Sequence, residues 1–203
     1  MKIICIGRNY VKHAIELGNV VPTEPVFFCK PDTAILPKKA PFVYPSFSKD
    51  VHHEVEIVVK INRLGKHIEE RFAHKYYNEI GVGVDFTARD IQQQQKEKGM
   101  PWEKAKAFDG SAPMSKFYKI DDFEDINNLD FSLQINGATK QVGNTKDMLF
   151  SIDSIIAYVS QFFTLKIGDL IFTGTPEGVG PVAINDKIDC FIEDKKLLSF
   201  NVK

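Results

Sequence analysis

The most apolar segment of this chain carries two acids. In Asp50–Ile61, DVHHEVEIVVKI, the residues Ile57, Val58, Val59 and Ile61 predict a strand buried on both faces, yet Glu54 and Glu56 stand at its start. Side chains alternate faces along a strand, so two glutamates two residues apart point the same way. Burying such a pair without partners would cost several kcal/mol or more. Either this end of the strand is solvated, or a cation sits against it. Two or three carboxylates completed by water suit Mg²⁺ or Mn²⁺.

Around that strand the chain reads as β-rich. KIICIG predicts a strand ending at Gly7, PVFFCK a second, and EIGVGVDF a third whose glycines indicate close backbone approach. NYVKHAIELGN predicts a short helix stopped by Gly18 and Asn19, and IEERFAHKYYN another. TARDIQQQQKEKG predicts a helix with Thr87 as N-cap and Gly99 as stop. Four prolines between Lys30 and Asp50 make that stretch extended and turn-rich. Asn136-Gly137 inside LDFSLQINGATKQVG is a hairpin signal. Ser151 can cap a helix whose apolar face is Ile152, Ile155, Ile156, Val159 and Phe163. DLIFTGTPEGVG, KIDCFIE and KLLSFNV close the chain as short strands and turns. Regular strand–helix alternation is missing, so the expectation is one α+β domain over residues 1–203 with helices at the periphery.

Charge and cysteine usage narrow the function classes. With 26 basic and 27 acidic residues spread along the chain, no electrostatic footprint for nucleic acid or an anionic membrane appears, so the partner is a small molecule. Cys5, Cys29 and Cys190 are scattered in apolar runs, as reduced core residues are. The first apolar run is too short for a signal peptide and no stretch reaches membrane-spanning length, so a cytoplasmic location is expected.

Further sites are candidates for chemistry, most with a plain alternative. Asp85 follows a β-run and precedes a helix, as a third metal ligand or as a turn aspartate. His52 and His53 lack a zinc-site spacing. His13 and Glu16, three apart on a helix, share a face; the carboxylate would orient the imidazole and favour its protonated form, or the two form a solvated pair. Lys104 and Lys106 lie near the single tryptophan, Trp102, and either could neutralise a substrate carboxylate or an enolate, or simply be solvated as most lysines are. The backbone amides and threonine hydroxyls of FTGTPEGVG could hold a small anion, or simply form a turn. Arg8, Asn9 and Arg89 serve equally well as pocket residues or loop anchors.

Taken in order, GRNYxxHxxE, HHExE, DxTARDxQ, KGxPWxxAKxFD and GDLIFTGTPxGVGP resemble the fumarylacetoacetate hydrolase family, nearest its short acylpyruvase and oxaloacetate decarboxylase branch. The resemblance runs from Gly7 to about Pro181 and implies a β-rich mixed roll, assembled as a homodimer. It implies that Glu54, Glu56 and Asp85 hold Mg²⁺ or Mn²⁺. His13 and Glu16 would be a catalytic dyad on an N-terminal lid at about residues 8–20. Lys106 would be the active-site lysine, with Gln92 and Thr175, joined by Arg89, as substrate-binding residues. His53 stands where many relatives carry an aromatic residue and receives no role.

The implied reaction is C–C bond cleavage of small 2-oxo acids through an enolate stabilised at the metal: acylpyruvate hydrolysis, oxaloacetate decarboxylation, or both. Isomerisation or decarboxylation of 2-hydroxy-dienedioates is the alternative within the family, although no residue is assigned to a second carboxylate. A non-catalytic 2-oxo acid binder is the alternative of another class. All of this requires Asp85 to lie beside the glutamate pair, and it requires that lysines or arginines do not balance those acids in place of an ion.

Overall fold

The structure, a computed structural model, describes residues 1–16, 18 and 20–203. Its strands are β1 Ile3–Gly7, β2 Val26–Lys30, β3 Val51–His53, β4 Val55–Ile61, β5 Tyr77–Val84, β6 Thr87–Ala88 and β7 Tyr118–Lys119, followed by β8 Asp130–Ile135, β9 Ala138–Asn144, β10 Leu170–Phe172, β11 Gly180–Pro181, β12 Lys187–Ile192 and β13 Lys195–Asn201. The helices are short: α1 Val11–Glu16, α2 Glu70–Ala73, α3 Arg89–Glu97, α4 Glu103–Lys106 and α5 Ile152–Phe162. Strands form three open sheets in the orders β2-β1-β10-β4-β5-β7, β11-β3-β6 and β13-β12-β8-β9. Pairing is antiparallel except for β1 with β10, so the α+β, β-rich expectation describes the chain well.

The central sheet separates two apolar layers. On β4, Val55, Ile57, Val59 and Ile61 face the main core, which they share with Ile155, Ile156 and Val159 of α5. Val58 faces the other way, into a smaller cluster with Ile3, Cys5, Leu170 and Phe172. Alternation therefore puts Glu56 on the Val58 side, where the sheet is covered. Opposite it on β5 stands Gly83, where a Cβ would come 2.7 Å from Phe172 and 2.9 Å from Val58. Only glycine lets the covering cluster approach that closely.

Local signals held where they were strong. Asn136 and Gly137 have φ of 53° and 82°, the pair of positive values that a two-residue hairpin turn requires. The Ser151 hydroxyl accepts a hydrogen bond from the Ser154 amide at the start of α5. Weaker signals gave way to pairing. Thr87 is no N-cap, because it pairs with His52 in β6, and α3 begins after Ala88 without a side-chain cap. The segment expected as one helix from Ile68 keeps a single turn, Glu70–Ala73, plus a 3₁₀ turn at His74–Tyr76, since Tyr77 already pairs with Ile61 in the sheet. Helix α1 ends at Glu16 with Gly18 in the left-handed region at φ 64°; Asn19, the other expected stop, lies outside the described residues.

Candidate active site

The break between β3 and β4 falls at Glu54, where the chain passes from one sheet to another. The Glu54 carbonyl accepts the Asp85 amide at 2.8 Å, one step beyond the Val55–Val84 pair. Sheet register thus carries Asp85 beside the glutamates. Oxygens from Glu54, Glu56 and Asp85 all lie within 4.8 Å of one another, and all three side chains are buried.

Basic groups also reach these acids. Lys106 Nζ lies 2.7 Å from Glu54 Oε2 and 2.9 Å from Asp85 Oδ2, and Arg89 donates to Glu54 Oε1 at 2.5 Å. Lys30, buried at the end of β2, places Nζ 2.8 Å from Asp85 Oδ1 and also donates to the Lys106 carbonyl and the Ser111 hydroxyl. The first requirement, convergence, is met. The second is met only in part, because two of the three acids have cationic partners.

Glu56 is the exception. Among the described residues no basic side chain pairs with it, and it accepts a hydrogen bond from the Gly174 amide at 2.8 Å. Burial, followed by repulsion from Asp85 and Glu54, pushes its pKa well above the usual carboxylate range. For Glu54, burial acts in the same direction but Lys106, Arg89 and His13 outweigh it, so its pKa falls well below that range. Asp85 Oδ1, although near Lys30, accepts no hydrogen bond. A buried carboxylate without a cationic partner, with oxygens of two further buried carboxylates within 4.8 Å, is a donor set that fits a hard divalent cation.

The other expected residues gather round the same cavity. His13, Arg89, Gln92, Lys106 and Thr175 line it with the three acids. His13 is buried, with Nδ1 3.3 Å from Glu16 Oε2; Glu16 in turn accepts the Gly178 amide, tying α1 to the glycine-rich turn. The expected upward shift of His13 is reversed: burial lowers its pKa by more than Glu54 and Glu16 raise it, and the ring is neutral near pH 7. Gln92 accepts from Arg89 at 2.7 Å. Lys106 is held as a charged ammonium, since Asp85 and Glu54 outweigh the opposing effect of its burial.

Some candidates do other work. Asn9 is a loop anchor, bonded to Phe150 and the Thr173 carbonyl. Lys104 is exposed and lies off the cavity. His53 bonds to Gln141 and His52 to Asp50. Residues with no prior assignment also contribute: Lys30, the Gly174 amide, and Gln141, which links β4 to the Thr175 turn. A lysine closing an apolar strand and a glutamine within a hairpin carry no signal that sets them apart in a sequence.

Similarity to known proteins places the chain in a family. The profile of the fumarylacetoacetate (FAA) hydrolase C-terminal family matches residues 2–203. The chain belongs to the fumarylacetoacetate hydrolase family. Among members of this family, oxaloacetate tautomerase YcgM of Escherichia coli (strain K12) is 46% identical over 188 residues, spanning 92% of this chain and 86% of that protein. The mitochondrial oxaloacetate decarboxylase of Dictyostelium discoideum is 42% identical over 192 residues, spanning 94% of this chain and 88% of its own. The crystal structure of fumarylpyruvate hydrolase from Pseudomonas aeruginosa, in complex with Mn²⁺ and pyruvate, superposes with a TM-score of 0.93 at 37% identity, covering 100% of this chain and 89% of that one. These three relatives are all named as enzymes, and the chain, an enzyme like them, shares their family.

Proposed function

We propose that this chain is a divalent-metal-dependent enzyme that turns over small 2-oxo acids through their enolate, with Glu54, Glu56 and Asp85 as metal ligands. The observation that carries the reading is the convergence of three buried carboxylates, one of which has no cationic partner. When bound, the ion supplies positive charge against the oxygens of a 2-oxo acid. Mg²⁺ or Mn²⁺ is the ion, a homodimer the assembly and the cytoplasm the location that the family resemblance and the sequence support. Among the described residues, no helix is long and apolar enough to cross a membrane.

The chain's own residues divide the remaining work. Lys106 holds a charged ammonium at the cavity wall, a donor for an oxygen that gains charge as C3 becomes nucleophilic. Glu16 occupies His13 Nδ1, which leaves Nε2 as the atom that takes or returns a proton. In acylpyruvate hydrolysis that proton comes from the attacking water. In oxaloacetate chemistry it moves to or from C3, and loss of CO₂ needs no base at all. Arg89, Gln92 and Thr175 line the same cavity and are placed to hold the carboxylate end. The relative named as an oxaloacetate tautomerase adds keto–enol interconversion to hydrolysis and decarboxylation, because all three reactions share the enolate.

The test is to follow pyruvate release from acetylpyruvate and oxaloacetate, and enol–keto interconversion of oxaloacetate, before and after chelation and after Mg²⁺ or Mn²⁺ is returned. Turnover should vanish on stripping and reappear with the ion. Undiminished turnover in stripped protein would overturn the reading.

A further inference from the structure

One peptide group places Glu56. The Gly174 amide donates to Glu56 Oε2 at 2.8 Å, and the carbonyl of the same peptide, that of Thr173, accepts Asn9 Nδ2 at 2.8 Å. In a trans peptide the N–H and C=O point opposite ways, so a donor that holds the carbonyl also aims the N–H. Inside the protein, a hydrogen bond at the carbonyl polarises the group and strengthens donation from its amide.

Asn9 is itself fixed. It is fully buried, its Oδ1 accepts the Phe150 amide at 2.8 Å, and its Nδ2 also donates to the Phe150 carbonyl at 3.0 Å. Its backbone carbonyl accepts the Leu149 amide at 2.8 Å. On the other side Thr173 is tied to β4, where its amide and its hydroxyl both donate to the Ile57 carbonyl, at 3.1 and 3.0 Å. Gly174 lets the two anchors meet. Its φ is 102°, and a Cβ there would come 2.7 Å from Asn9 Cβ. Asn9 lies off the cavity, so these bonds serve the peptide and not a ligand.

Resting on the metal site proposed above, we infer that Asn9 is the positioning residue of Glu56, acting through the Thr173–Gly174 peptide. Glu54 and Asp85 have cationic side chains to hold them in place. Glu56 has this peptide instead. Without the Asn9 donor the peptide is free to turn, and the Glu56 carboxylate loses the amide that fixes it. Groups that orient a metal ligand typically contribute about 10–100-fold to metal affinity.

Two readouts test the role: Mn²⁺ affinity by titration calorimetry, and the NMR signal of the Gly174 amide in chelator-treated protein. Asn9→Ala should weaken Mn²⁺ binding about tenfold or more and move the Gly174 amide proton upfield. Asn9→Asp keeps an oxygen for the Phe150 amide but loses the donor to the Thr173 carbonyl. It should also weaken binding, although an added negative charge by itself attracts a cation. Ile188→Val trims the main core on β12, in another sheet, and lowers the unfolding midpoint without touching these bonds. Both readouts should ignore it. Wild-type affinity in Asn9→Ala, affinity kept or raised in Asn9→Asp, or a loss that Ile188→Val matches would overturn the positioning role and leave the proposed function standing. A wild type that binds no Mn²⁺, with a Gly174 signal that still moves in Asn9→Ala, would keep Asn9 as the residue that places Glu56 and overturn the metal-dependent function.

Discussion

Gln141 and Thr175, 34 residues apart, are joined by a buried hydrogen bond: Gln141 Nε2 donates to Thr175 Oγ1 at 2.9 Å. The same amide nitrogen donates to the Pro176 carbonyl, while Oε1 accepts the Val55 amide and faces His53 Nδ1. One side chain on the β8–β9 hairpin therefore fastens the strand that bears Glu54 and Glu56 to the turn that bears Thr175.

Gln141→Ala should destabilise the protein by about 2–3 kcal/mol, because it strands several buried polar groups together. Urea unfolding measures this through the midpoint. A loss under about 0.5 kcal/mol, the range of neutral surface changes, would show that water replaces the amide. With the Thr175 turn loosened, KM for a 2-oxo acid should rise more than kcat falls.

Glu56→Gln should act with opposite signs in the two states of the protein. Without metal, the substitution removes a carboxyl whose ionised form burial, Asp85 and Glu54 all oppose, while its amide oxygen can still accept the Gly174 amide. Apo stability should hold or rise. Mn²⁺ should no longer raise the melting temperature, since one ligand charge is gone. A variant that still gains the wild-type shift with Mn²⁺ would remove Glu56 from the ligand set.

The His13 proton sets an expected pH profile. Burial lowers its pKa from the usual histidine value, so the base form is present above that lowered value and is lost as pH falls through it. Acylpyruvate hydrolysis should therefore climb with pH to a plateau, with its midpoint below about 6.5, the ordinary histidine value. Glu16 raises the His13 pKa, so Glu16→Gln should move the midpoint to still lower pH. His13→Ala should depress hydrolysis more than oxaloacetate decarboxylation, which needs no base; equal losses would make the dyad a closing device.

Much of the local structure is legible in the sequence. The hairpin at Asn136-Gly137 and the capped, one-faced helix α5 formed where their residue types demanded, because turn conformation and capping are decided within four or five residues. Alternation along the strand correctly turned Glu54 and Glu56 the same way, away from the main core that Val55, Ile57 and Val59 enter. Where a local preference met a competing strand partner, as at Thr87 and Tyr77, pairing prevailed because each ladder bond satisfies a buried backbone group.

By itself, then, the sequence determined the acids, the order of the motifs and hence the family. Only the tertiary structure decided which charges face one another. Sheet register brings Lys30 to Asp85 and leaves Glu56 with a backbone amide in place of a cation. It also buries His13 deeply enough to reverse its expected shift. A carboxylate's partner and its burial depend on side chains tens of residues away, and neither quantity exists until the sheets close the distance.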